Sequence, residues 1–358
     1  MKRLYFLILG SVVSVTTAFS QASNCTQTLR LIRTTYEQGR LHELPSIAEG
    51  CLAAPSGKGF TDVEKKEAYR ILTLAYIYLE EPEKADEMMQ KFLETEHFYV
   101  LNSSVDPAEF IALYKKFRTT PVFRYGLKLG LNLTQPAVLQ YHNIGSTAGG
   151  QGKYGLSSNF NIYLMFEKDI INEKFVFAPE IGYVSRSYSY NNGSLAKSDK
   201  SLDSTISNQQ FVISQSWLDL NAIVQYKFEN TLNRQTYVGI GPGISYLLSS
   251  SNQPTTFLGT GANGYTVTGP SIDDKKSYNS LVYSLAIVAG TKIRFGGLYG
   301  NLDVRYQIGL SNVVNKSSRT NAELGFDYQG QYNDYRMSNI MFNVGVLIPN
   351  FQPKKLIK

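Results

Sequence analysis

Histidine, cysteine and tryptophan are scarce in this chain: three, two and one in 358 residues. His42 and His97 stand alone, without the spacing of a zinc-ligand set, so no metal centre is indicated. No apolar run after the N-terminus is long enough to cross a bilayer as a helix. No basic stripe marks a nucleic-acid surface, and the chain reads as exported, so nucleic acid is excluded as a partner. Gly239, Gly241 and Gly243 alternate inside a strand pattern and do not open a helix, so they are not a nucleotide loop. No motif indicates a cofactor or a small-molecule substrate.

What is present begins with a leader. Residues 1–20 read as a signal peptide: Lys2 and Arg3 are its charged start, residues 4–15 its apolar centre, and Ala18-Phe19-Ser20 its small-residue cleavage site. Ala22-Ser23-Asn24 before Cys25 lacks the lipoprotein pattern. An exported chain permits a disulfide, and Cys25 and Cys51 flank the midpoint Gln38-Gly39, where two helices turn. The start of one helix and the end of the next then lie side by side. The alternative is two small buried thiols.

The hydrophobic period changes once, near Pro121. Before it, apolar residues recur at helical spacing. Helices are expected at about 26–38, from about 44 through 51 with Pro45 in the first turn, at 62–80 with Thr61 or Asp62 as N-cap, at 82–96, and from 106 to 117. The third and fourth resemble a tetratricopeptide (TPR-like) repeat. Tyr69, Leu72, Tyr76, Ala85, Met89 and Phe92 fall at its packing positions, with Ala85 letting the helices approach closely. Thr73 and Glu80 depart from the pattern, and a generic pair of helical hairpins is the other reading. Such repeats mostly bind proteins, so residues 21–121 are expected to form a periplasmic docking domain for another envelope protein.

From 122 to about 348 the apolar residues alternate every second position in eight segments, at about 122–134, 156–167, 174–188, 211–228, 235–248, 279–295, 297–310 and 337–348. Between them, the short turns 168–173, 229–234 and 296–297 alternate with the long loops 135–155, 189–210, 249–278 and 311–336. That asymmetry belongs to an outer-membrane barrel, with short turns in the periplasm and long loops outside. The expected fold is therefore α + β multidomain: a helical-hairpin domain, then an eight-stranded antiparallel transmembrane β-barrel at 122–351, then a periplasmic tail at 352–358. The tight junction at 119–121 puts the helices on the short-turn side. The aromatic strand ends Tyr188, Phe228, Tyr246 and Phe295 suit interfacial girdles. A soluble cup would turn the apolar row inward and leave glycines and charges outside, against this pattern.

Charge divides at the same boundary. Residues 21–121 carry 12 Lys and Arg against 15 Asp and Glu, and residues 122–358 carry 21 against 14. A basic barrel can meet anionic lipid or lipopolysaccharide phosphates. An eight-stranded barrel is only wide enough for its own side chains. Inward-facing Arg124, Lys128, Lys227 and Arg305 are expected to pair with Glu180, Asp219 and Asp303, either as a structural plug or along a narrow ion or proton path. His142, with Ser146 nearby in the first long loop, is the one candidate for lipid A chemistry at the outer rim.

Three stretches carry a family resemblance: Trp217-Leu218-Asp219-Leu220 with Gln225-Tyr226-Lys227-Phe228, Tyr237-Val238-Gly239-Ile240-Gly241-Pro242, and the strand from Leu302-Asp303-Val304-Arg305 to Leu310. With them, residues 122–351 resemble the PorT-like outer-membrane β-barrel family. The resemblance implies a Gram-negative outer membrane; its stretches are barrel patterns rather than catalytic signatures, and a non-enzymatic role is expected. It also implies a link to type IX secretion or gliding, with which some members are associated. A surface receptor or adhesin acting through the long loops is the alternative.

Overall fold

The computed structural model describes residues 24–55, 57–142, 152–192, 206–258, 265–320 and 333–356. The leader at 1–20 and Ser146 lie outside them. The chain divides into two compact units, Met1–Thr120 with Phe351–Lys358, and Pro121–Asn350.

The helical unit holds α1 (Asn24–Glu37), α2 (Leu44–Leu52), α3 (Asp62–Tyr78), α4 (Pro82–Thr95) and α5 (Ala108–Tyr114). Gly39 ends the first hairpin's leading helix at φ 74°, the left-handed conformation that glycine adopts without a steric penalty. Thr61 caps α3 reciprocally: its hydroxyl accepts from the Glu64 amide, and the Glu64 carboxylate accepts from the Thr61 amide at 2.9 Å. Cys25 and Cys51 form a disulfide with Cα atoms 5.6 Å apart, within the packed group of Leu29, Ile32, Leu44, Ala48, Leu72 and Ala75. A second packed group gathers Met89, Phe92, Phe110, Tyr114 and Phe117. The tail belongs to this unit: Phe351 stacks on His97 at 4.7 Å and meets the edge of Phe98, and Lys355 pairs with Asp86.

The second unit is a closed antiparallel ring. Its strands are β1 (Phe123–Gln140), β2 (Lys153–Ile171), β3 (Phe175–Asn192), β4 (Ile206–Asn230), β5 (Arg234–Leu258), β8 (Leu281–Phe295), β9 (Leu298–Gly309) and β10 (Asp334–Asn350). Each pairs with the next, and β10 returns to β1 with Phe123 opposite Asn350. Two short strands in the β5–β8 connection, β6 (Tyr265–Thr268) and β7 (Ile272–Asp273), pair only with β5 and were not expected from the sequence.

Alternation fixes which row faces which way. Along β1, Arg124, Lys128 and Asn132 are buried while Tyr125, Leu127, Leu129 and Leu131 are exposed. The exposed row is what a wall facing lipid requires. Phe228, Tyr246 and Phe295 lie on it, whereas Tyr188 does not. The girdle expectation for Tyr188 is corrected: it is an even position of β3, like Glu180 and Arg186, and points into the lumen. The strands also run further into the long loops than alternation alone suggested, with β4 and β5 reaching 25 residues each. The turn after β2 places Asn172 and Glu173 at φ 47° and 58°, and the turn after β8 is Gly296-Gly297. Positive φ at both Asn172 and Glu173 matches the twist of a tight hairpin.

Candidate functional site

The lumen is filled from end to end by its own side chains. Nearest the short turns, the Arg124 guanidinium donates to Asp169 at 3.1 and 3.0 Å, and Lys227 reaches the same carboxylate at 3.1 Å. Beside them Lys292 pairs with Glu167 at 2.6 Å. At mid-height, Lys128 bridges Glu180 at 2.6 Å and Asp303 at 3.0 Å, and Arg305 donates to the other oxygen of Glu180. Above these, Asp219 accepts from Arg186 at 2.7 Å and from the Tyr163 hydroxyl at 3.1 Å. Toward the long loops, Tyr188, Phe211, Trp217, Tyr278 and Tyr335 pack as one apolar group, with the Tyr188 and Tyr335 hydroxyls hydrogen-bonded.

Among the described residues, these lumen pairs join six cations to five carboxylates. Taking such charges out of water costs several kcal/mol per ion, which only close partners offset. Confinement thus forces the pairing. Arg305 and Lys128 also lie 5.0 and 5.7 Å from the Tyr163 ring centre, where the ring's negative face adds attraction.

The structure brings four of the seven lumen candidates, Lys128, Glu180, Asp303 and Arg305, into one cluster. Arg124 and Lys227 meet through Asp169, and Asp219 pairs with Arg186. The sequence reading missed Glu167, Asp169, Arg186 and Lys292. Three of them were within reach of parity: Glu167 is an odd position of β2 opposite in phase to Phe166, and Arg186 and Lys292 are even positions of β3 and β8. Asp169 fell in a stretch read as turn.

In the helical unit, Tyr69, Leu72, Tyr76, Ala85, Met89 and Phe92 lie along the α3–α4 contact. Leu72, Ala85, Met89 and Phe92 are buried, and the two tyrosines are half-buried. Tyr69 and Tyr76 also line a groove of about 660 Å³ with Leu52, Leu79, Met88 and His42. Further along, Asp106 is enclosed by Arg70 at 2.8 Å, the Tyr99 hydroxyl at 2.7 Å and the Asn102 amide at 2.9 Å. Burial alone would raise the Asp106 carboxyl, but those three donors outweigh it and hold it below the usual carboxylate range. Burial and the Asp106 charge push the Tyr99 hydroxyl up to about 12.

At the long-loop end of the barrel, His142 Nε2 lies 3.2 Å from Asp334, whose second oxygen accepts from Asn312 at 2.6 Å. This gives His142 an acid, while Ser146 lies outside the described residues. Among the described residues no group of His, Cys, Asp and Glu could hold a metal ion. None of their helices is long and apolar enough to cross a membrane.

A family model described as an outer membrane protein beta-barrel domain matches residues 119–315, more than half of the chain. The chain belongs to that family. It is thus an outer-membrane β-barrel protein. No curated protein matches it. Among solved structures, the outer membrane protein OprG from Pseudomonas aeruginosa is similar at 12% identity, over 64% of this chain and 96% of that one, with a TM-score of 0.35. Ail, the attachment invasion locus protein of Yersinia pestis, matches at 10% identity over 63% and 99%, with a TM-score of 0.27. The outer membrane protease OmpT from Escherichia coli matches at 8% identity over 63% and 96%, with a TM-score of 0.33.

Proposed function

We propose that the barrel is a sealed, non-enzymatic anchor whose helical unit docks another component of the cell envelope from the periplasm. The observation that carries the reading is the filled lumen. With Lys128, Arg186, Lys227, Lys292 and Arg305 each buried against a carboxylate, solute transport through the barrel would require breaking several buried pairs, at about 3–5 kcal/mol each. The work of the protein then falls outside the lumen. The helical unit offers a half-apolar groove between α2, α3 and α4, joined to the barrel at its short-turn end. By the PorT-like resemblance, the docked component belongs to a secretion or gliding complex of type IX kind.

In-cell crosslinking from groove positions such as Tyr76 and Met88 tests the docking role. A single envelope protein captured at these sites, and released by charge reversal at Lys84, is the expected result. A phenotype that survives deletion of residues 26–117 in full would end the reading.

One observation favours a second reading, a receptor or adhesin. Strands of about ten residues suffice to cross the outer membrane, and β4 and β5 have 25 each. Their upper halves, with β6 added at the edge, would project a polar ribbon beyond the lipid. Loss of surface binding when residues 259–271 are replaced, with the helical unit intact, would select it.

A further inference from the structure

The two chain segments that leave the barrel remain paired in the helical unit. Within the barrel, Phe123 stands opposite Asn350, and the Val122 amide donates to the Asn350 carbonyl at 2.9 Å. Within the helical unit, Phe117 stands opposite Lys355; the Arg118 amide donates to Lys354 at 3.0 Å and the Leu356 amide to Lys116 at 2.7 Å. The antiparallel register of 123 with 350 is therefore resumed, one residue displaced, at 117 with 355.

This ribbon holds Lys116, Arg118, Lys354 and Lys355, with Lys115 next to it at the end of α5, all exposed except the half-buried Arg118. Lys355 is paired with Asp86, and Arg118 donates to the Gln352 carbonyl at 2.7 Å. Among the described residues, Lys115, Lys116 and Lys354 form no ion pair. Leu356, 49% exposed, ends the same ribbon with an apolar side chain.

Chain length places these charges. Lys115 is eight residues before the start of β1, and Lys354 is four after the end of β10. A chain covers at most about 3.5 Å per residue, so none of the three lysines can stand more than roughly 28 Å from a strand end. Clusters of Lys and Arg immediately beside a membrane segment are drawn to anionic headgroups. We propose that this two-stranded basic ribbon binds anionic phospholipid headgroups of the leaflet at the short-turn end of the barrel. Three unpaired lysines beside an exposed leucine suit a headgroup layer, which offers phosphate above acyl chain. The proposal rests on the barrel crossing the bilayer and not on the docking role, so the two fail separately.

The test is lipid titration of the full-length protein in detergent, read by native mass spectrometry, with phosphatidylglycerol, phosphatidylcholine and lipid A as probes. Each cation near an anionic surface is worth about fivefold. K115Q/K116Q/K354Q should therefore lose on the order of a hundredfold in phosphatidylglycerol affinity at low salt and nothing in phosphatidylcholine. K115R/K116R/K354R should keep the wild-type preference. Unchanged phosphatidylglycerol binding, an equal loss for both phospholipids, a loss confined to lipid A, or the same loss in the arginine variant would each overturn the proposal. Wild-type protein with no preference between the two phospholipids would do so as well.

Discussion

Glu180 is the side chain on which the lumen's charge balance turns. One of its oxygens accepts from Lys128 at 2.6 Å and the other from Arg305. Replacing it with Gln keeps the volume and removes the charge. Lys128 retains Asp303 at 3.0 Å. Among the described residues Arg305 then has no ion pair left, because its carboxylate partner is Glu180. A buried cation left alone costs about 3–5 kcal/mol, a large share of the 5–15 kcal/mol that holds a typical folded protein. The assay is reversible urea unfolding of the protein in lipid vesicles, followed by tryptophan fluorescence from Trp217. E180Q should fall by about 3–5 kcal/mol. E180Q/R305M removes both members of the pair and should recover most of that loss, giving a coupling of about 2 kcal/mol or more. If E180Q unfolds within 1 kcal/mol of wild type, or the two changes are simply additive, the claim that confinement enforces these pairs is refuted.

Three further outcomes follow from the same geometry. Reducing the Cys25–Cys51 bridge, or replacing both residues with Ser, should cost the helical unit about 2–4 kcal/mol in thermal or urea unfolding, with barrel folding unchanged. Asp106 has a lowered folded-state value, so its contribution is complete above the ordinary 3.8 and is lost as pH falls through the folded value; helical-unit stability followed by circular dichroism should drop below about pH 4, and D106N should remove that drop. Gly241 has no room for a side chain, since a Cβ there would stand 2.0 Å from the Ala222 carbonyl oxygen. Gly241→Val should therefore abolish the heat-modifiable band of the folded barrel on gels, whereas Gly297→Val, in open space, should not.

Alternation made most of the barrel legible, because each lipid-facing row must be apolar and each inward row must not. It located Lys128, Glu180, Asp303 and Arg305 on the inner face before any contact was known. It could not assign partners, since Lys128 and Asp303 are 175 residues apart and meet only when the ring closes. It also failed where register shifts. The β4–β5 ladder passes from Ser216 opposite Ser249 to Trp217 opposite Leu247, and beyond that shift Ser250 and Asn252 are buried where unbroken alternation puts them outside. Tyr188 was misjudged for another reason: an aromatic residue at a strand end suits either a girdle or a plug, and parity rather than residue type decides. In the helical unit, the Ala85 spacing pointed to the α3–α4 contact, while the tail's packing on His97 and Asp86 depends on residues more than 250 positions away and left no local signal.

Conductance across a planar bilayer tests the sealed-barrel claim most directly. The purified full-length protein should give no large, stable channel at moderate voltage, because the lumen is occupied from Asp169 at one end to Tyr335 at the other. Stable openings of porin size, seen with the wild-type protein and unaffected by E180Q, would contradict it.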